Sequence, residues 1–247
     1  MYKTPETFPQ RYRPLTMAPH GMVASPHYLA SQAGVDVLKK GGTAVDVLNV
    51  VYPHMCGIGG DAFWLIYDAG KKDLVFLNAS GRSPHAASID SYKKAGMNSM
   101  PVRGPLTVTV PGAVDGWFEA HRRHGKLPMA ALLETAIAYA RRGYPVSHVL
   151  SFKIQEAIGE LSRYSSSKSL FLPGGKAPRP GDVLTNPGLA SSLEKITREG
   201  RDVFYRGEIG REIVRFAREN GGLLTERDFL DHRSDWGKPV STQYRGY

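Results

Sequence analysis

A chain of 247 residues, 41% apolar and 22% charged, has the make-up of a soluble globular protein with room for one large domain or two small ones. Its formal net charge of +9 is spread along the chain, densest at Arg11/Arg13, Lys71/Lys72, Arg122/Arg123 and Arg141/Arg142 with acids usually nearby, so nucleic-acid binding is not expected and the charge reads as a solvated surface that steers small anions. No stretch approaches the roughly 18 apolar residues of a membrane span and the N-terminus lacks a signal-type apolar core, so a cytoplasmic protein without membrane contact is expected; the single Cys56 excludes an internal disulfide and leaves the redox compartment open.

Residues 1–20 carry four prolines and read as an extended arm; residues 21–247 read as the domain. Gly21–Ser25 predicts a short strand. Ser25 or Pro26 then opens a helix with Leu29, Ala33, Val37 and Leu38 at helical spacing, ended by Gly41-Gly42. A second helix is expected from about Thr43, with Asp46 in its first turn, cut short before Pro53. The glycine-rich turn Gly57-Ile58-Gly59-Gly60 ends at Asp61 and leads into a hairpin, Ala62–Tyr67 and Leu74–Leu77, that closes on Ser80-Gly81-Arg82. A helix is expected near Ser88–Ala95, and Leu106–Val110 reads as a buried strand. Helices follow over Ala113–His124, with Val114, Trp117, Phe118 and His121 on one stripe, and over Pro128–Arg142, stopped by Gly143. Another spans about 146–163 and precedes a Ser-rich loop. Pro173–Pro187 reads as loop, Leu189–Glu199 and Gly207–Asn220 as helices. Thr225 caps a short helix with Asp228 at its third position, and Pro239–Tyr247 starts a strand.

The residues that could carry chemistry centre on the hairpin. Arg82 follows Ser80-Gly81, where backbone can come close to a ligand. A guanidinium there can hold a carboxylate through two parallel hydrogen bonds, or pair with a neighbouring acid; spacing leaves both open. The amides of Gly57, Gly59 and Gly60 can form an anion nest, or the loop is simply a tight turn. Neither GxGxxG nor GxxxxGK[ST] is present, so no nucleotide cofactor is expected. His27, His54, His85, His121 and His124 form no HExxH frame, and no metal is expected, although His121 and His124 could share a helix face. GxSxG is absent. Cys56 beside His54 lacks the geometry of a nucleophile pair, and its thiol is expected to be buried or half-buried.

Several segments, in order, resemble the gamma-glutamyltransferase family from Gly21 to Tyr247: SPHYLASQAGVDVLKKGGTAVDV, VVYPHMCGIGGD, NASGRSP, VTVPGAVDGWFEAHRRHGKLP, RPGDVLTNPGLASSLEKITREGRDVFYRGEIG, ENGGLLTERDF and STQYRGY. The resemblance implies an α/β (α+β) fold, the large-subunit part of the αββα sandwich of N-terminal-nucleophile hydrolases. It also implies a precursor that cuts itself before a threonine, whose hydroxyl then attacks a γ-glutamyl amide such as glutathione. That threonine would lie beyond the point matching Tyr247, so no catalytic residue is expected in this chain, which would be inert without a small-subunit partner. Thr43 after Gly42 mimics a cleavage junction but is expected to cap a helix. Arg82 falls where the family holds the glutamyl α-carboxylate. Ser83-Pro84-His85 departs from the family's commoner Glu-Met-Ala-Pro and points toward its uncharacterised or acylase-like members, with an acylase for another amide as a further alternative. The helix after Asp46 is shorter than the family's by about two turns. An inactive remnant, or a module that binds an amino acid through Arg82, is the alternative to an amide-cleaving enzyme.

Overall fold

The computed structural model describes residues 17–42 and 48–245. Thr43, Asp46 and most of the proposed arm lie outside them. Helix α1, Tyr28–Lys39, is capped by His27, whose Nδ1 accepts from the Leu29 amide at 3.3 Å. Helix α2, Leu48–Val51, is one turn long. Strands β1, Ala62–Asp68, and β2, Asp73–Ala79, pair antiparallel from Ala62↔Ala79 to Asp68↔Asp73. There follow α3, Ile89–Lys94; α4, Ala113–His124; α5, Met129–Arg142; β3, Tyr144–Pro145; α6, His148–Glu156; α7, Ile158–Leu161; and α8, Ser165–Phe171. The chain continues with β4, Val183–Leu184; α9, Pro187–Glu199; α10, Asp202–Tyr205; α11, Glu208–Glu219; α12, Glu226–Asp231; and β5, Asp235–Gly237.

β5 pairs antiparallel with β2 and completes a sheet in the order β1-β2-β5; β3 and β4 form a separate two-stranded ladder. Because side chains alternate across a strand, the hairpin has two unlike faces. Trp64, Leu77 and Ala79 turn toward α4, where Trp117 and Val114 are buried. Phe63, Leu65 and Tyr67 turn the other way and stay 62–64% exposed. Helix α5 packs against α9 and α2, joining Leu132, Leu133, Leu193, Ile196 and Phe204 in one core.

Most helices fall where periodicity and caps predict them. The capping box of Thr225 with Asp228 is present, and Ser88 makes another with Ser91. Five expectations need correction. Gly21–Ser25 is irregular; Val23 rests on Gly34 of α1 with no strand beside it. Leu106–Val110 begins in a 3₁₀ turn, Pro105–Thr107, and then runs extended, with the Val110 amide donating to the Arg82 carbonyl at 3.0 Å; flanking prolines remove the donors a ladder needs. The helix over 146–163 breaks at Ala157 into α6 and α7. The Ser-rich segment is helix α8, because Phe171 and Leu172 pack on the core and override weak local propensity. The terminal strand is β5, ahead of Pro239, and residues 239–245 form none.

Candidate functional site

Four segments meet at the end of the hairpin. The first crossing is between backbones. A β-carbon on Gly81 would lie 1.5 Å from the Val110 carbonyl oxygen, and one on Gly112 would lie 2.1 Å from that of Ala79. Both glycines are there because Asn78–Arg82 and Val110–Gly112 touch main chain to main chain. The second join is the glycine loop. The Gly60 carbonyl accepts from the amides of Gly112 (3.0 Å) and Ala113 (2.9 Å), the first donors of α4. The Gly60 amide donates to the Gly57 carbonyl at 3.1 Å. Asp61 Oδ1 accepts from the Gly81 amide at 2.7 Å and ties the loop to the Arg82 turn.

The loop walls two clefts. One, about 280 Å³, is bounded by Asn49, Cys56, Gly57, Gly60, Asp61 and Trp117. The other, about 300 Å³, is bounded by Cys56, Gly57, Gly59, Tyr144, Asn186 and Leu189. Arg82 lines neither. Its side chain is 69% exposed, and its Nη2 donates to Asp235 Oδ2 at 3.1 Å.

The fourth segment, His232–Asp235, is held by a buried polar cluster that sequence reasoning missed. Asp115, in the first turn of α4, accepts from the Arg201 Nε on one oxygen and from the Ser234 amide (2.6 Å) and hydroxyl on the other. Arg201 Nη2 also donates to the His232 carbonyl at 2.8 Å, and its guanidinium lies over the Tyr205 ring. The Tyr205 hydroxyl donates to the Pro111 carbonyl (2.7 Å) and accepts from the Asp115 amide (3.0 Å). Burial raises the Asp115 pKa, but the hydrogen bonds from Ser234 and Arg201 outweigh it and hold the carboxyl below its ordinary value. His232 stacks on Tyr205 with neither ring nitrogen hydrogen-bonded among the described residues. Burial, reinforced by the charges of Arg201, Arg82 and Arg233, lowers its pKa against the pull of Asp115.

The remaining histidines are dispersed. His121 contacts the Leu127 carbonyl at 2.7 Å, His124 lies by Trp236, and the His85 ring meets Asp231 at 3.2 Å. Cys56 is half-buried and lines the loop clefts, whereas His54 lines a different cleft beside Lys153. Among the described residues no helix is long and apolar enough to cross a membrane.

Helices backing one face of an antiparallel sheet, with the opposite face left uncovered by the described residues, are the large-subunit part of an α+β N-terminal-nucleophile hydrolase fold. The chain belongs to the gamma-glutamyltranspeptidase family, whose model matches residues 30–247. It is 43% identical over 234 residues to the glutathione hydrolase-like YwrD proenzyme of Bacillus subtilis, covering 92% of this chain and 44% of that protein. The gamma-glutamyltranspeptidase of Helicobacter pylori superposes with a TM-score of 0.89 at 32% identity, covering 95% of this chain and 70% of that one. The cephalosporin acylase of Bacillus halodurans also gives 0.89, at 37% identity, covering 100% of this chain and 48% of that one. The chain thus spans less than half the length of the curated relatives it matches.

Proposed function

We propose that the polypeptide carrying this chain cleaves amides of γ-glutamyl type, passing the acyl group to water or an amine. Arg82 binds the substrate carboxylate, and Gly57, Gly59 and Gly60 wall the acyl pocket. The nucleophile is a threonine on a partner portion that packs over the exposed hairpin face, and residues 1–247 by themselves are inert. The observation that carries this reading is the position of Arg82: an exposed cation anchored through Gly81 and Asp61 to a glycine loop that opens on two clefts. Family membership supports the reaction class, since its relatives bear the names of glutathione hydrolases and acylases. With one N–H given to Asp235, the guanidinium keeps its other donors for a carboxylate, which it can grip with charge-assisted bonds.

The test is steady-state hydrolysis of γ-glutamyl-p-nitroanilide by the encoded polypeptide. Arg82→Ala is expected to raise KM about 10- to 100-fold, the loss of one charge-assisted contact, with Arg82→Lys in between. An unchanged KM in Arg82→Ala would remove Arg82 from substrate binding.

A further inference from the structure

Two buried polar side chains meet in one cleft without a partner for either. Asn49, on the single turn of α2, is 7% exposed, and Tyr144, on β3, is 2% exposed. Neither the Asn49 amide nor the Tyr144 hydroxyl hydrogen-bonds to another described residue. Buried amides and hydroxyls are ordinarily bonded, since one left alone loses its hydration without return. Both line the cleft of about 300 Å³ on the glycine loop, a size at the lower end of small-molecule pockets. Tyr144 is held there by its neighbours: Gly143 ends α5 at φ 94°, and Tyr144 then stands opposite Leu184 in the β3–β4 ladder. Asn186, on the same wall, is already engaged, its Oδ1 accepting from the Leu189 amide at 2.9 Å as the cap of α9.

The rest of the lining sorts ligands by charge. Leu170, Phe171, Leu184 and Leu189 make its apolar walls, and no charged side chain among the described residues lines it. An ion entering would give up water with no opposite charge to meet. A hydrocarbon would leave Asn49 and Tyr144 unbonded. A neutral carboxamide on an apolar body answers both demands: its carbonyl accepts from the Tyr144 hydroxyl or the Asn49 NH₂, and its N–H donates to Asn49 Oδ1. Burial raises the Tyr144 pKa, so that hydroxyl keeps its proton and can donate. We propose that this cleft is a binding site for small neutral carboxamides with an apolar body, recognised by Asn49 and Tyr144. It shares the glycine loop with the proposed acyl pocket, but Arg82 does not line it, and the proposal does not rest on the Arg82 reading.

The experiment is a fluorine NMR titration of the encoded polypeptide with 4-fluorobenzamide and with 4-fluorobenzoate, in which any hydrolysis of the amide shows as a separate resonance. Wild type is expected to bind the amide about tenfold more tightly than the anion. Tyr144→Phe removes one hydroxyl and keeps the ring; it is expected to weaken the amide about 3- to 10-fold, and Asn49→Leu about tenfold, while Arg82→Ala leaves it unchanged. Should Asn49→Leu fail to fold, Tyr144→Phe decides alone. Equal affinity for amide and benzoate, an unchanged amide affinity in Tyr144→Phe, or no binding by wild type overturns the proposal, the last leaving the cleft to water. Weakening of the amide in Arg82→Ala would place it in the substrate pocket and overturn the proposal as well. An Arg82→Ala enzyme with unchanged KM for γ-glutamyl-p-nitroanilide sinks only the Arg82 reading, and the amide titration stands apart from it.

Discussion

Gly81 and Gly112 are the most crowded of the described glycines. Each sits where a β-carbon would overlap a carbonyl oxygen of the neighbouring segment, so Gly81→Ala or Gly112→Ala must push two main chains apart. Overpacking of this kind costs about 1–3 kcal/mol and sometimes more. Gly59 has nothing within 4 Å of the same position, and Gly59→Ala is expected to stay within about 1 kcal/mol of wild type. Urea denaturation of the three variants checks this ordering; Gly81→Ala matching Gly59→Ala would refute the crossing. The sequence reads Ser80-Gly81 as a place where backbone comes close to a ligand; what crowds Gly81 in the structure is the chain's own Val110 carbonyl. Arg82 was legible as a candidate cation, but not its partner, because Asp235 lies 153 residues away and nothing local links the two.

At the scale of elements, His232 links α12 to β5 at a cost that pH exposes. His27, His54 and His232 all have pKa values lowered by burial, His54 also by Lys153 and His27 also by His54. In the unfolded chain each returns to about 6.5. Below that pH the unfolded state takes up protons the folded state refuses, so their contribution is intact above 6.5 and is lost as pH falls through the window beneath it. Asp115 adds a separate acid loss, below the ordinary carboxylate value, where its depressed pKa is finally reached. Thermal midpoints are expected to be lower at pH 5.5 than at pH 7.5. His232→Phe keeps the stack on Tyr205 and removes two unbonded nitrogens, so it is expected to be near neutral at pH 7.5 and to shrink the pH 5.5 deficit. A deficit of the same size in His232→Phe would clear His232 of the effect. The long helices were readable from periodicity and caps. The two- to four-residue elements β3, β4, β5 and α10 were not, since so short a run has no period to detect.

At the scale of the molecule, the described residues cover the sheet on one side only. Phe63, Leu65, Tyr67 and the partly exposed Leu74 form an apolar face on the hairpin, and β1 is an edge strand with no neighbour beyond it among the described residues. Each such side chain gains about 1.5–3 kcal/mol on full burial, and an open edge adds unpaired backbone groups. Residues 1–247 alone are expected to self-associate. Light scattering after size exclusion should show oligomers that Leu65→Lys shifts toward monomer. A sharp wild-type monomer at high concentration would mean that this face tolerates water.

Local order was determined by the sequence itself: the long helices, the hairpin, the capping boxes and the family motifs all rest on residues close together in the chain, where spacing and side-chain chemistry act directly. Tertiary structure decided everything that joins distant residues. It turned a Ser-rich stretch into α8 by giving Phe171 and Leu172 a core to enter. It brought Ser234 to Asp115 across 119 residues and Asp235 to Arg82 across 153. Such contacts depend on where whole elements pack, which no short-range pattern encodes, and they are what surround the candidate carboxylate-binding arginine.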